Sequence, residues 1–128
     1  MRRHKYNAKA VKDCPHCGFT HPSQMEAARC EHLHFLAALD PSHGPECGAV
    51  HIDVHPKVTL AKGIHYSPDF LIYYAAEGML TGLLFEEVKG RPTADFKLKR
   101  KLFENNHPCE LRVVTGRKTK SGWTWKEI

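Results

Sequence analysis

No apolar run in this 128-residue chain comes near the ~20 residues a helix needs to cross a bilayer. The opening MRRHKYNAKAVKD also lacks the apolar core of a secretory leader. Both absences argue against a membrane role and point to a cytoplasmic protein. There is no internal repeat and no low-complexity tract, and the length leaves room for one domain with a real core but not for an elaborate multi-domain enzyme. In an intracellular protein the five cysteines are not expected to form disulfides. Acidic charge is scarce at one end. Residues 1–88 hold eight Lys/Arg against ten Asp/Glu, whereas residues 89–128 hold eleven against four, so the net charge of +5 is concentrated downstream. Such a distribution favours a polyanionic partner.

The first 13 residues are basic and polar and read as an arm, followed by one domain over 14–128. After a turn-rich segment at 14–20, a helix is expected from Ser23 to about Leu39, with Ser23 as N-cap and Met25, Ala28, Leu33, Leu36 and Leu39 at helical spacing. The stretch DPSHGPECG is a loop by its Pro and Gly content. Strands follow at about 49–60, 66–75 and 80–89, the last two joined at Glu77-Gly78. A second helix over Thr93 to about Asn105 and strands at 109–115 and 123–127 complete the order αβββαββ.

The stretch YSPDFLIYYAAEGMLTGLLFEEVKG carries the densest chemistry. Glu87 and Lys89 are two apart on a strand, so they share a face about 6–7 Å apart, and Asp69 opens the neighbouring strand. Carboxylates from adjacent strands offer hard oxygen ligands to Mg²⁺ or Mn²⁺. A lysine beside them would offset charge developing on a phosphate. Gly90 carries no side chain to hold a nucleic-acid backbone away. Glu86 points to the opposite face, although a bulge in the strand would let Glu86 and Glu87 exchange roles.

A glutamate-bearing helix, a three-stranded meander carrying PD and then ExK, a helix and a closing strand resemble the core of the PD-(D/E)XK nuclease superfamily. The segments SQMEAARC, HPKVTLAKGIHYSPDF, FEEVKG and FKLKRKLF resemble a family of small phage-encoded proteins placed in that superfamily. The resemblance covers roughly residues 22–115. It implies an α+β fold with a restriction-endonuclease-like core and a Mg²⁺- or Mn²⁺-dependent endonuclease acting on DNA. Asp69 and Glu87 would be metal ligands, Lys89 the catalytic lysine and Glu26 the first-helix glutamate completing the metal shell, with Val88 adding its carbonyl. By analogy with phage junction resolvases the substrate would be branched DNA, and symmetric cutting of two strands would call for a homodimer. The alternative is a noncatalytic, zinc-stabilised DNA-binding protein on the same fold. Glu26 also fits a second role, since SQME is an S-x-x-E capping box in which its carboxylate would bond the Ser23 backbone N–H.

Basic residues beyond the motif suit phosphate contact: Arg91 next to it, and Lys97 and Lys101 on one face of the second helix. Phe96, Leu98, Leu102 and Phe103 are the apolar residues expected to pack inward.

Upstream, Cys14, Cys17, Cys30 and His34 form the pattern C-x2-C-x12-C-x3-H. It resembles a ββα zinc finger with one histidine replaced by cysteine. A tight turn presents the first pair to one point, and residues four apart on a helix present the second pair to the same side. The four would close a structural Zn²⁺ site, with Cys47 or His43 as substitute ligands and His32 and His16 close in sequence. A finger reading DNA would place Ser23, Glu26 and Arg29 at base-contacting positions. Cys109 is expected in the core.

Overall fold

The computed structural model describes residues 9–128, so most of the basic arm expected over 1–13 lies outside the described residues. Helix α1 runs Gln24–Ala38, and its N-cap Ser23 accepts a hydrogen bond from the Glu26 N–H at 3.1 Å. Only half of the capping box forms, because the Glu26 carboxylate is engaged elsewhere. The buried stripe of α1 also differs from expectation: it comprises Glu26, Arg29, Cys30 and Leu33, while Met25, Ala28, Leu36 and Leu39 are only partly covered. The helix is fixed by polar and sulfur contacts more than by an apolar seam.

Strands β1 (His51–Val54), β2 (Val58–Ala61), β3 (Ile64–Tyr66), β4 (Phe70–Ala76) and β5 (Met79–Val88) precede helix α2 (Ala94–Asn106), then β6 (Glu110–Thr119) and β7 (Gly122–Glu127). The order is therefore αβββββαββ, not αβββαββ. The strand expected over 49–60 breaks in two because His55 adopts a left-handed backbone (φ 56°), and Pro56 behind it has no N–H for a ladder. The strand expected from residue 66 begins only at Phe70, after Pro68, and Tyr66 instead closes β3.

Five strands form one sheet in the order β1-β4-β5-β6-β7, and β2 and β3 form a separate hairpin. β4 and β5 join through Glu77 (φ 53°) and Gly78 (φ 78°), the two successive positive φ values of a type I′ hairpin turn. β5 and β6 are parallel, which requires a crossover, and α2 supplies it.

Each face of the sheet has its own core. On one face Val58, Leu60, Tyr66, Phe85, Leu111 and Val113 pack with Phe96 and Phe103 of α2, joined by partly buried Leu102 and Cys109. Each fully buried phenylalanine is worth roughly 1.5–3 kcal/mol. Leu98 is not among them: it is 59% exposed, since two residues from Phe96 lies on the far side of a helix. On the other face Cys14, Cys30, Leu33, Phe70 and Ile72 pack together. The sheet is thus covered by α1 and the N-terminal cysteine turn on one side, and by α2 and the β2–β3 hairpin on the other.

Candidate functional site

Cys14-Pro15-His16-Cys17-Gly18 folds as a tight turn. The Gly18 N–H bonds the Cys14 carbonyl at 2.7 Å, and Gly18 takes φ 80°, a conformation that glycine adopts without strain. The segment then returns so that Val11 and His21 exchange backbone hydrogen bonds of 2.8 Å each. That single bridge stands where a ββα finger would have a hairpin. The turn and α1 bring together Cys14, Cys17, Cys30 and His21, whose donor atoms all lie within 4.8 Å of one another.

The fourth member corrects the expected ligand set, in which His34 filled this place. His34 Nδ1 lies 2.8 Å from the Cys30 carbonyl oxygen, one helical turn back, and 3.6 Å from the Cys30 sulfur. His21 instead aims Nε2 at the Cys17 sulfur from 3.4 Å. Its position was not evident from spacing, because it depends on the Val11 bridge turning the chain back before the helix starts. Cys47 is buried and His43 sits in a short 3-10 turn, but neither belongs to the group.

The geometry fits zinc. A tetrahedral ion with Zn–S near 2.3 Å and Zn–N near 2.0 Å sets its donors about 3.5–3.8 Å apart, and here the Cys14 and Cys30 sulfurs are 4.0 Å apart. Burial pushes the Cys17 and Cys30 thiols above their ordinary range. At Cys14 burial acts the same way and is the largest single influence, but hydrogen bonds from the His16 and Cys17 backbone and from the Cys17 and Cys30 side chains together leave the thiol lowered. Burial also lowers His21, helped by His55, and so favours the neutral imidazole that a metal requires. The cluster could bind zinc.

His21 has a second ring nitrogen, and it leads to the other cluster. Nδ1 meets Glu26 Oε2, and His55 Nε2 meets the same oxygen at 2.9 Å. Glu26 is in turn within hydrogen-bonding reach of Asp69 and in the field of Glu87 and Lys89. Thus Glu26 from α1, Asp69 from the start of β4, Glu87 from β5 and Lys89 just beyond it converge at one end of the sheet. The register requires it: Phe70 pairs with Glu86, so Asp69 lies level with Glu87.

Each member is held. Asp69 Oδ2 accepts from the Val88 N–H at 2.7 Å, its own carbonyl accepts from the His55 N–H at 2.9 Å, and the Tyr66 hydroxyl donates to Glu87 Oε1. Lys89 Nζ lies 3.9 Å from Glu87 Oε2 and 4.9 Å from the centre of the Phe96 ring. Burial drives Glu26 up to about 7, Asp69 to about 8 and Glu87 to about 9. Mutual repulsion adds to this, and Lys89 offsets part of it at Glu26 and Glu87. The three carboxyls resist joint ionisation, and the group around Glu26 whose donor atoms lie within 4.8 Å of one another is His21, Glu26 and His55.

Glu86 stands apart from this group. It is fully buried on the α1 face, where Arg29 grips it with two hydrogen bonds of 2.8 Å and Arg112 Nε adds a third at 2.8 Å. Arg112 Nη2 also lies 2.6 Å from Glu86 Oε1 but at an angle that makes no hydrogen bond, so this contact is electrostatic only. The finger reading fails here: Arg29 is spent on a buried ion pair, Ser23 caps the helix and Glu26 points into the carboxylate cluster.

Arg91, Lys97 and Lys101 are exposed and have no ion pair among the described residues, whereas Lys99 and Arg100 pair with Asp95 and Glu104. A Cβ on Gly90 would meet Met25 Cε at 3.6 Å, an ordinary contact, so internal packing does not demand glycine there. A concavity of about 660 Å³ between the cysteine turn, α1 and β1 includes none of Glu26, Asp69 and Glu87. All three carboxyls are buried at the strand end, and of the group only Lys89 is partly exposed.

Spacing gave no hint of His21, His55 or Tyr66. A histidine directly before a proline was the available signal for His55, whose left-handed backbone turns its ring toward Glu26. No curated protein and no solved structure matches the chain. Residues 3–122 match the model of the family described as "Protein of unknown function (DUF1064)", and the chain belongs to that family.

Proposed function

We propose that the protein is a Mg²⁺- or Mn²⁺-dependent DNA endonuclease with a PD-(D/E)XK core. The observation that carries this reading is the convergence of Glu26, Asp69, Glu87 and Lys89 at one sheet end, with each carboxyl raised by burial. The order of α1, β4, β5, α2 and the parallel strand β6 supports it, being the order that the superfamily resemblance implies. Asp69, Glu87 and Glu26 would hold the cation. Such an ion supplies Lewis-acid polarisation of a phosphoryl oxygen and a water of lowered pKa.

The chain's own groups do the rest. Tyr66 and the Val88 N–H orient Glu87 and Asp69, fixing which oxygens face the strand end. Lys89, steadied over Phe96, places an ammonium where negative charge grows on a phosphate in the transition state. Arg91, Lys97 and Lys101 contact backbone phosphates without reading sequence. The branched substrate and a homodimer rest on the likeness to phage resolvases.

The test is nicking of supercoiled plasmid and of a four-way junction by zinc-loaded protein, with and without Mg²⁺. Cutting that needs Mg²⁺ and is lost in Asp69→Asn supports the reading. Binding of DNA without cutting under any divalent ion would favour the noncatalytic zinc-stabilised DNA-binding protein.

A further inference from the structure

We propose that Glu26 is shared by the two clusters, so that occupancy of the thiol site sets the cation affinity of the carboxylate site through His21. The inference rests on the divalent-cation reading of Glu26, Asp69 and Glu87 given above. His21 is completely buried and its two ring nitrogens face different chemistry: Nε2 faces the Cys17 sulfur at 3.4 Å and Nδ1 faces Glu26 Oε2. A neutral imidazole carries one proton, so a nitrogen that ligates a metal must be bare and the other must donate. Zinc at the thiols therefore selects the tautomer with Nδ1–H, which donates to Glu26. Without zinc, the Nε2–H tautomer can donate to a sulfur, and Nδ1 then offers Glu26 a lone pair in place of a proton.

The two histidines meet Glu26 at the same oxygen, Oε2. Oε1 is left by both of them, and Glu26 retains its contact with Asp69. His21 and His55 are thus positioning residues: both pin the same oxygen of the carboxylate and leave the other free of a histidine partner. Carboxylates that accept from a metal-bound histidine typically change metal affinity 10–100-fold when removed. Because Glu26 would belong to both sites, linkage makes the effect reciprocal: a cation at the carboxylates must alter the zinc site by the same factor by which zinc alters the cation's affinity.

Two measurements test this. Mn²⁺ affinity, read by electron paramagnetic resonance, is expected to fall about tenfold or more from zinc-loaded protein to His21→Ala, with circular dichroism confirming that the variant is folded. Equal Mn²⁺ affinity in the two folded proteins overturns the coupling and leaves the divalent-cation reading standing. No Mn²⁺ binding by the zinc-loaded parent, or binding that Asp69→Asn does not weaken, overturns both. The second measurement needs no disruptive variant. With Co²⁺ in the thiol site, titrating Mg²⁺ into the parent is expected to shift the visible ligand-field bands, and Glu26→Ala is expected to abolish the shift. A cobalt spectrum that stays fixed while Mg²⁺ demonstrably displaces Mn²⁺ overturns the proposal.

Discussion

Glu86 and Glu87 are neighbours in β5 and belong to different machines: Glu86 is clamped by Arg29 and Arg112 on the α1 face, and Glu87 meets Tyr66 and Lys89 on the α2 face. Strand alternation makes this division, and it gives two glutamates one position apart opposite mutational signatures. Glu86→Ala strands two buried arginines, and breaking such a pair costs about 3–5 kcal/mol. Glu87→Gln removes a carboxyl that burial already holds at about 9. Its expected effect is loss of Mg²⁺-dependent cutting with thermal stability kept or raised. Differential scanning fluorimetry and a nicking assay on both variants check the contrast.

Lys89→Ala is expected to lower the cutting rate by about 10²–10³-fold, the usual scale for a group that meets charge developing in a transition state. Mn²⁺ should still bind, since the lysine is not a ligand. Single-turnover rates measured beside Mn²⁺ titration separate the two effects.

One zinc ion per chain is expected by elemental analysis. Cys17→Ser and Cys14→Ser should lose it, Asp69→Asn should retain it, and His34→Ala should retain it as well. Zinc loss in His34→Ala with retention in His21→Ala would reverse the ligand assignment.

Stability should depend on pH in a direction set by the raised carboxyls. Glu26, Asp69 and Glu87 bind protons more readily folded than unfolded. Their contribution is therefore complete below the ordinary carboxylate range and is lost as pH rises through about 7, 8 and 9. A divalent cation stabilises the ionised forms, so the rise in Tm on adding Mg²⁺ to zinc-loaded protein should be larger at pH 9 than at pH 6. The pH dependence of that rise should shrink in Asp69→Asn.

Replacing both Lys97 and Lys101 with alanine should weaken DNA binding similarly across sequences. Each lost phosphate contact lowers the salt dependence, log K against log salt, by roughly 0.9. Fluorescence anisotropy at several salt concentrations reads the slope, and an unchanged slope would remove these lysines from the interface.

Helix boundaries were legible because they are local: Ser23 and Thr93 cap where their side chains predict, and Glu77-Gly78 turns where two positive φ values are needed. The opposite facing of Glu86 and Glu87 was also legible, from period two alone. What was not legible came from chain reversals. His21 reaches the thiols because Val11 pairs with it across the cysteine turn. His34, at better spacing, lies beside its own helix turn. The break at His55-Pro56 turned one expected strand into β1 and β2 and brought a second imidazole to Glu26. Arg29 looked like a surface reader because nothing local announced that Glu86, 57 positions away, would take it.

The parallel pairing of β5 with β6 also orders events in time. The β4–β5 hairpin closes on local contacts, but the other edge of β5 stays unpaired until the chain has passed through all of α2. Arg112, which shares Glu86 with Arg29, arrives on that same late strand. On a ribosome working from the N-terminus, the strand bearing Glu87 therefore remains an open edge until β6 emerges. A fragment ending before β6 is expected to aggregate through that edge rather than fold.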